Sequence, residues 1–260
     1  MMTNNPFPYI KTVGDRQNPA IVFLHGGGLS SNQWQPQLEA LSDNFYCVAP
    51  DLPEQGKSTS LKPFTLTDAA ARVIELIRSL PSHKAHVVGL SLGGAVALEV
   101  ARTAPDVVDH LILSGTAAGL SKWMGWLTIA SASMYRWFKP ETLLNMTYKQ
   151  FNIPEVYRAN LREDLLKGFD VEFTRHFTEA LMQVQLPTEA KVLVVVGEHE
   201  TVVAKSSARK LAATIHGARG VIAPNVGHVW NLEAAEMFNR MVRAFMTDVP
   251  LPSELHDDVG

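Results

Sequence analysis

The chain has 260 residues, a formal net charge of −3 and a charged fraction of 19%, with no run of Lys and Arg, so nothing in it suits a nucleic-acid backbone. At that length it fills one α/β domain, or one such domain carrying an insertion. Its single cysteine, Cys47, lies in the apolar run Phe45 to Ala49; it excludes an internal disulfide and is expected in the core.

The opening Met1-Met2-Thr3-Asn4-Asn5-Pro6 has neither a basic start nor an apolar stretch of signal-peptide length, and a cytoplasmic location is the expectation. Short apolar runs at Ala20 to Leu24, Phe45 to Ala49, His86 to Val88, His110 to Leu113, Val192 to Val196 and Val221 to Ala223 predict buried strands. Between them Gln33 to Leu41, Thr67 to Leu80, Gly94 to Arg102 and Ala204 to His216 have helical composition and spacing. A last helix follows Asn231 as a plausible N-cap and puts Phe238, Met241, Val242 and Phe245 on one face. Such alternation predicts an α/β fold, a mostly parallel sheet flanked by helices.

Across residues 117–186 the alternation stops, which predicts a helical cap inserted into a core made of 1–116 and 187–248. Trp123, Trp126, Leu127, Ala130, Met134 and Trp137 recur at the spacing of one helical face. The stretch is too short for the ~20 residues that span a bilayer, so no stable membrane insertion is expected. Trp123, Trp126, Met134 and Trp137, with Trp230 from the core, are the predicted substrate-pocket residues. Residues 249–260, with Pro250 and Pro252 and no periodicity, read as a flexible tail.

Gly89-Leu90-Ser91-Leu92-Gly93 matches G-x-S-x-G where a buried strand should turn into a helix, a sharp turn that exposes one serine. Ser91 is the candidate nucleophile, and it needs a base that is itself oriented by a third group. His228, in the loop Pro224 to His228 between the last strand and the last helix, is the candidate base. Glu200, just past the strand Val192 to Val196, is the candidate acid, with Glu198 as its backup. Candidate oxyanion donors are the N–H groups of Leu92, at the start of the nucleophile helix, and of Gly27 in His25-Gly26-Gly27-Gly28, with Gly28 second. The chain offers no metal-ligand cluster, and His83-x-x-His86 stands alone.

These motifs resemble those of the α/β-hydrolase fold superfamily, in its capped esterase and carbon-carbon bond hydrolase branch. The matching residues are His25 to Gly28, Asp51-Leu52-Pro53 with Gly56-Lys57-Ser58, Gly89 to Gly94, Gly197-Glu198 and Gly227-His228, in the family's order. The resemblance implies an acyl-enzyme mechanism with no cofactor, on a small-molecule ester. Three departures stand out: Glu200 where aspartate is common, Glu54-Gln55 in place of Gly-His, and opening strands reduced to about Tyr9 to Val13. Small to medium apolar carboxylic esters are the expected substrates. A carbon-carbon bond hydrolase of a dienol-type diketone is the alternative, favoured if Arg158, Arg162 or Arg175 faces the pocket. A non-turnover ligand receptor on the same scaffold is the other. The near-match of Asp51 to Ser58 to a phosphate loop fails at Asp51, Pro53 and Glu54. Oligomeric state is open.

Overall fold

The computed structural model describes residues 6–187 and 189–257. Seven strands, β1 (Ile10–Val13), β2 (Ala20–Leu24), β3 (Tyr46–Pro50), β4 (Ala85–Leu90), β5 (Val108–Ser114), β6 (Glu189–Gly197) and β7 (His216–Ala223), form one sheet in the order β1-β3-β2-β4-β5-β6-β7. Only β1 pairs antiparallel, against β3. The helices are α1 (Gln35–Leu41), α2 (Leu66–Arg78), α3 (Leu92–Thr103), α4 (Lys122–Ala132), α5 (Pro140–Gln150), α6 (Glu155–Gly168), α7 (Val171–Met182), α8 (Val202–Thr214), α9 (Trp230–Glu233) and α10 (Ala235–Met246).

The central strands are apolar at nearly every position because both faces are covered. Val22, Val87, Leu111 and Val194 pack with α2, α3 and α8 on one face. Ile21, Phe23, Val88, Ile112 and Val195 pack with α1 and α10 on the other. On that second face Phe23, Trp34, Phe238 and Trp230 form a chain of rings with centroids 5.1, 5.8 and 4.6 Å apart, each contact worth about 0.5–1.5 kcal/mol beyond area burial. Cys47 lies in the same core, where burial pushes its thiol up to about 12.

From β2 the chain runs outward to β3 and then returns to β4 on the other side of β2. Ligands gather where the strand order reverses, beyond the carboxyl ends of the strands. The loop Gly26–Gly28 after β2 and Ser91 after β4 both leave the sheet there.

Three expectations need correction. β7 begins at His216 rather than Val221, because it is an edge strand whose first residues, His216 to Gly220, are half exposed and carry no apolar run. Asn231 does not cap the last helix: it is buried inside α9, where its amide donates to the Gln33 carbonyl at 3.1 Å and receives Gln33 Nε2 at 3.2 Å. The tail packs against the core as far as Asp257 rather than extending free of it. Leu255 is buried, His256 bridges to Ile222 of β7, and Glu254 pairs with Arg240; residues 258–260 lie outside the described residues.

His86 of β4 carries a testable cost of this core. Its ring packs edge-on to His110 at 4.8 Å and to Phe45 at 6.1 Å, and its Nδ1 has no hydrogen-bond partner among the described residues. Burial, then the neighbouring His110, lowers its pKa to about 4, against the pull of Asp109 and Asp248. The unfolded chain therefore takes up the proton first as pH falls. Stability is full above the ordinary histidine range and is lost on the way down to pH 4, by ~2 kcal/mol at pH 5. Denaturant titrations at pH 7 and pH 5 should show that loss in the native protein and a much smaller one in His86→Phe. Equal losses in both would assign the acid sensitivity elsewhere.

Candidate active site

Ser91 holds the sharp turn between β4 and α3 with φ 54° and ψ −113°, a conformation that costs a residue with a β-carbon about 1–3 kcal/mol unless its surroundings impose it. The surroundings do so through flanking glycines. A β-carbon on Gly93 would collide with the carbonyl oxygen of Leu24, and one on Gly89 would sit 2.5 Å from the carbonyl oxygen of Gly93. The start of α3 is thus pressed against β2. The Ser91 N–H donates to the Ser114 carbonyl at 2.9 Å, so the serine stands directly beside the end of β5.

His228 reaches the same place from the loop after β7. Its ring lies on Gly115, where a β-carbon would fall 2.7 Å from Cε1 and Nδ1 of His228 and 3.1 Å from Oε1 of Glu200. Gly115 also has φ 56°, so both its backbone and the space above it require glycine. Nδ1 of His228 is 2.6 Å from Oε2 of Glu200, whose side chain is only 2% exposed. The other carboxylate oxygen of Glu200 accepts the Gly197 N–H at 3.2 Å. A carboxylate at Nδ1 fixes the tautomer that donates from Nδ1 and leaves the Nε2 lone pair free. Glu198 points elsewhere: it is exposed and accepts the Asn225 N–H at 2.8 Å. No hydrogen bond joins the Ser91 hydroxyl to His228, and catalytic contacts of this type commonly tighten only with substrate in place.

Gly27 and Leu92, the residues of the two candidate oxyanion donors, are neighbours. A β-carbon on Gly27 would touch the Leu92 side chain at 3.6 Å, and Leu92 is the first residue of α3, whose N–H lacks a helical acceptor. Gly28 is different, because its N–H already donates to Gln55 Oε1 at 2.8 Å. The residues that replace Gly-His at 54 and 55 therefore have structural work: Gln55 ties the glycine loop, while Glu54 accepts the Phe64 N–H at 2.8 Å and meets Nδ1 of His176 on α7 at 2.9 Å. His25 completes this frame. It is wholly buried, accepts the Leu52 N–H at Nε2, and burial holds its pKa below the ordinary value, so it stays neutral.

Helices α4 to α7 lie between β5 and β6 and roof a cavity of about 340 Å³. Gly27 and Gly28 form part of its lining, joined by the rings of Tyr135, Phe151, Phe169, Phe173 and Phe177 and by Leu143, Met146 and Leu165, with no charged side chain among the described lining residues. Phe151 also faces His228 at 5.7 Å between centroids and borders a second, more polar cavity that includes Lys149, Glu200 and His228. The roof is tied down by Ser30 Oγ donating to Asp164 of α6 at 2.5 Å and by the contact between Gly168 and Gly28.

The predicted pocket residues are not in that lining. Trp123, Trp126, Met134 and Trp137 are 67%, 68%, 55% and 75% exposed, and Trp230 is fully buried, its indole N–H donating to Ser114 Oγ at 2.9 Å. The reason is close packing. α4 turns its small residues inward, Gly125 against the sulfur of Met182 and Ala132 into full burial, and the indoles outward. The spacing was that of one face, but of the outer one. Sequence reasoning missed Phe173 and Phe177, although their i, i+4 spacing on α7 was a usable signal; for Phe151 and Gly115 no local signal existed. Arg158, Arg162 and Arg175 do not line the cavity either: they bind the Ile153 carbonyl, Glu141 and Glu179.

The alpha/beta hydrolase family model matches residues 21–241, and the chain belongs to that family. It is 29% identical over 251 residues to a carboxylesterase, YbfK, of Bacillus subtilis, covering 92% of this chain and 83% of the relative. It is 26% identical to 3-oxoadipate enol-lactonase 2 of Acinetobacter baylyi, covering 90% and 91%. Among solved structures the enol-lactonase from Burkholderia xenovorans superposes with a TM-score of 0.76 at 25% identity, covering 92% and 96%. The chain is an esterase-like hydrolase.

Proposed function

We propose that this hydrolase cleaves small to medium, uncharged, apolar carboxylic esters through an acyl-enzyme formed on Ser91, with helices α4 to α7 acting as its cap. His228 takes the proton from the Ser91 hydroxyl as that oxygen attacks the ester carbonyl, and returns it to the departing alcohol; water then repeats the sequence to release the acid. Glu200 holds the imidazole in the required tautomer and stabilises its cation. The N–H groups of Gly27 and Leu92 receive the developing oxyanion, where the dipole of α3 adds to them.

The observation that carries this reading is the 2.6 Å contact of His228 Nδ1 with Glu200, made beside the strained turn that presents Ser91. The ring-lined, uncharged cavity next to Gly27 supports an apolar acyl or alcohol group. The three cap arginines are engaged elsewhere, so no observation favours a carboxylate-bearing diketone. The test is a fluorophosphonate adduct mapped by mass spectrometry, alongside turnover of nitrophenyl esters of increasing acyl length. Labelling at Ser91 with many turnovers per enzyme is expected. Labelling elsewhere would remove the mechanism, and product that stops near one equivalent would make the protein a receptor.

A further inference from the structure

Six large apolar side chains, Trp123, Trp126, Leu127, Met134, Trp137 and Phe138, stand exposed within sixteen residues on the outer side of the helical insertion. Three of the five tryptophans of the chain are among them, while Trp34 and Trp230 are fully buried. Such a concentration is not the scatter of single apolar residues that any surface shows. Between Asp109 and Glu141 the chain carries three formal charges, Lys122, Arg136 and Lys139, all positive and all exposed, and none makes an ion pair among the described residues. Arg136 instead lies over the Trp137 ring at 5.9 Å.

We infer that this face docks reversibly on an anionic lipid surface, with the indoles and Phe138 entering the headgroup layer and Lys122, Arg136 and Lys139 meeting negative headgroups. Indoles favour that layer because one edge is polar and the body apolar, and cations around an apolar patch add an attraction that salt weakens. α4 has eleven residues and no helix among the described residues is long and apolar enough to cross a membrane, so the docking is peripheral. A second copy fits poorly: symmetric pairing would set Lys122, Arg136 and Lys139 of one patch against the same three cations of the other. Thr128 and Tyr135 of the same segment line the cavity from inside. Docking would therefore seat the back of the cavity roof on the lipid.

The experiment is flotation of the full chain with phosphatidylglycerol vesicles and with phosphatidylcholine vesicles, at low and at 0.5 M salt, with tryptophan quenching by brominated lipid. Expected is partitioning at least about tenfold stronger onto phosphatidylglycerol, lost in high salt. Quenching should arise from the exposed indoles, since Trp34 and Trp230 stay in the core. Trp123→Ser/Trp126→Ser/Trp137→Ser should lose at least tenfold in partitioning at an unchanged melting temperature, and Lys122→Gln/Arg136→Gln/Lys139→Gln should lose the preference for phosphatidylglycerol. Absence of flotation would overturn the inference, as would unaltered partitioning in the tryptophan variant. So would a dimer in sedimentation equilibrium that the same variant abolishes, because it would show that a second copy covers the face.

Discussion

Ser91→Ala should lower kcat on a nitrophenyl ester by ~10³-fold or more while leaving the melting temperature where it was. The substitution removes only the hydroxyl oxygen, which makes no hydrogen bond among the described residues, so no buried partner is orphaned there. It keeps the β-carbon, so the backbone at φ 54° is held as before by the packing of Gly89 and Gly93. The loss should also be non-additive. If Ser91 and His228 act as one unit, Ser91→Ala/His228→Ala should be little slower than either single variant, because removing the nucleophile leaves the base nothing to do. Steady-state rates of the three variants, with circular dichroism to confirm folding, make the measurement. An unchanged rate in Ser91→Ala would remove the serine from the chemistry, and additive losses would mean that His228 acts in a different step.

How far the sequence discloses such a site depends on which forces fix each part. The strands are legible because a parallel strand covered on both faces must be apolar throughout, as Val22, Val88 and Ile112 are. The turn at Ser91 is legible because only glycines at 89 and 93 leave room for it. The choice between Glu198 and Glu200 is not, since both follow Gly197 within three residues. Which of them lies against His228 follows from a turn in which the Glu200 N–H donates to the Gly197 carbonyl at 3.0 Å, while the Glu198 N–H is held by Ala223. The inward face of α4 is hidden for another reason: apolar residues run around most of that helix, so periodicity cannot select a side. Tight packing on α7 selects it instead, and it selects Gly125 and Ala132 over the indoles. Gly115 illustrates the same limit, because its need for glycine comes from a ring more than a hundred positions away in the chain.

Glu200→Gln should cost ~10³- to 10⁴-fold in kcat near neutral pH, against less than about twofold for Glu198→Gln. The two glutamates differ in what their charge meets. The Glu200 side chain is almost wholly buried with its carboxylate 2.6 Å from His228, so replacing it by an amide removes that charge from beside the imidazole. The amide can also present its NH₂ to Nδ1, which would then have to accept and would leave the proton on Nε2, the wrong tautomer for a base. Glu198 touches only the Asn225 N–H in an exposed loop, a contact that glutamine can keep through its carbonyl. Rate and thermal stability together separate a chemical role from a packing role: the expected result is a kcat loss of that size, far beyond what any change in melting temperature would explain. A melting temperature reduced by a few degrees with kcat unmoved would make Glu200 a structural residue, and a large loss in Glu198→Gln instead would transfer the acid to that position.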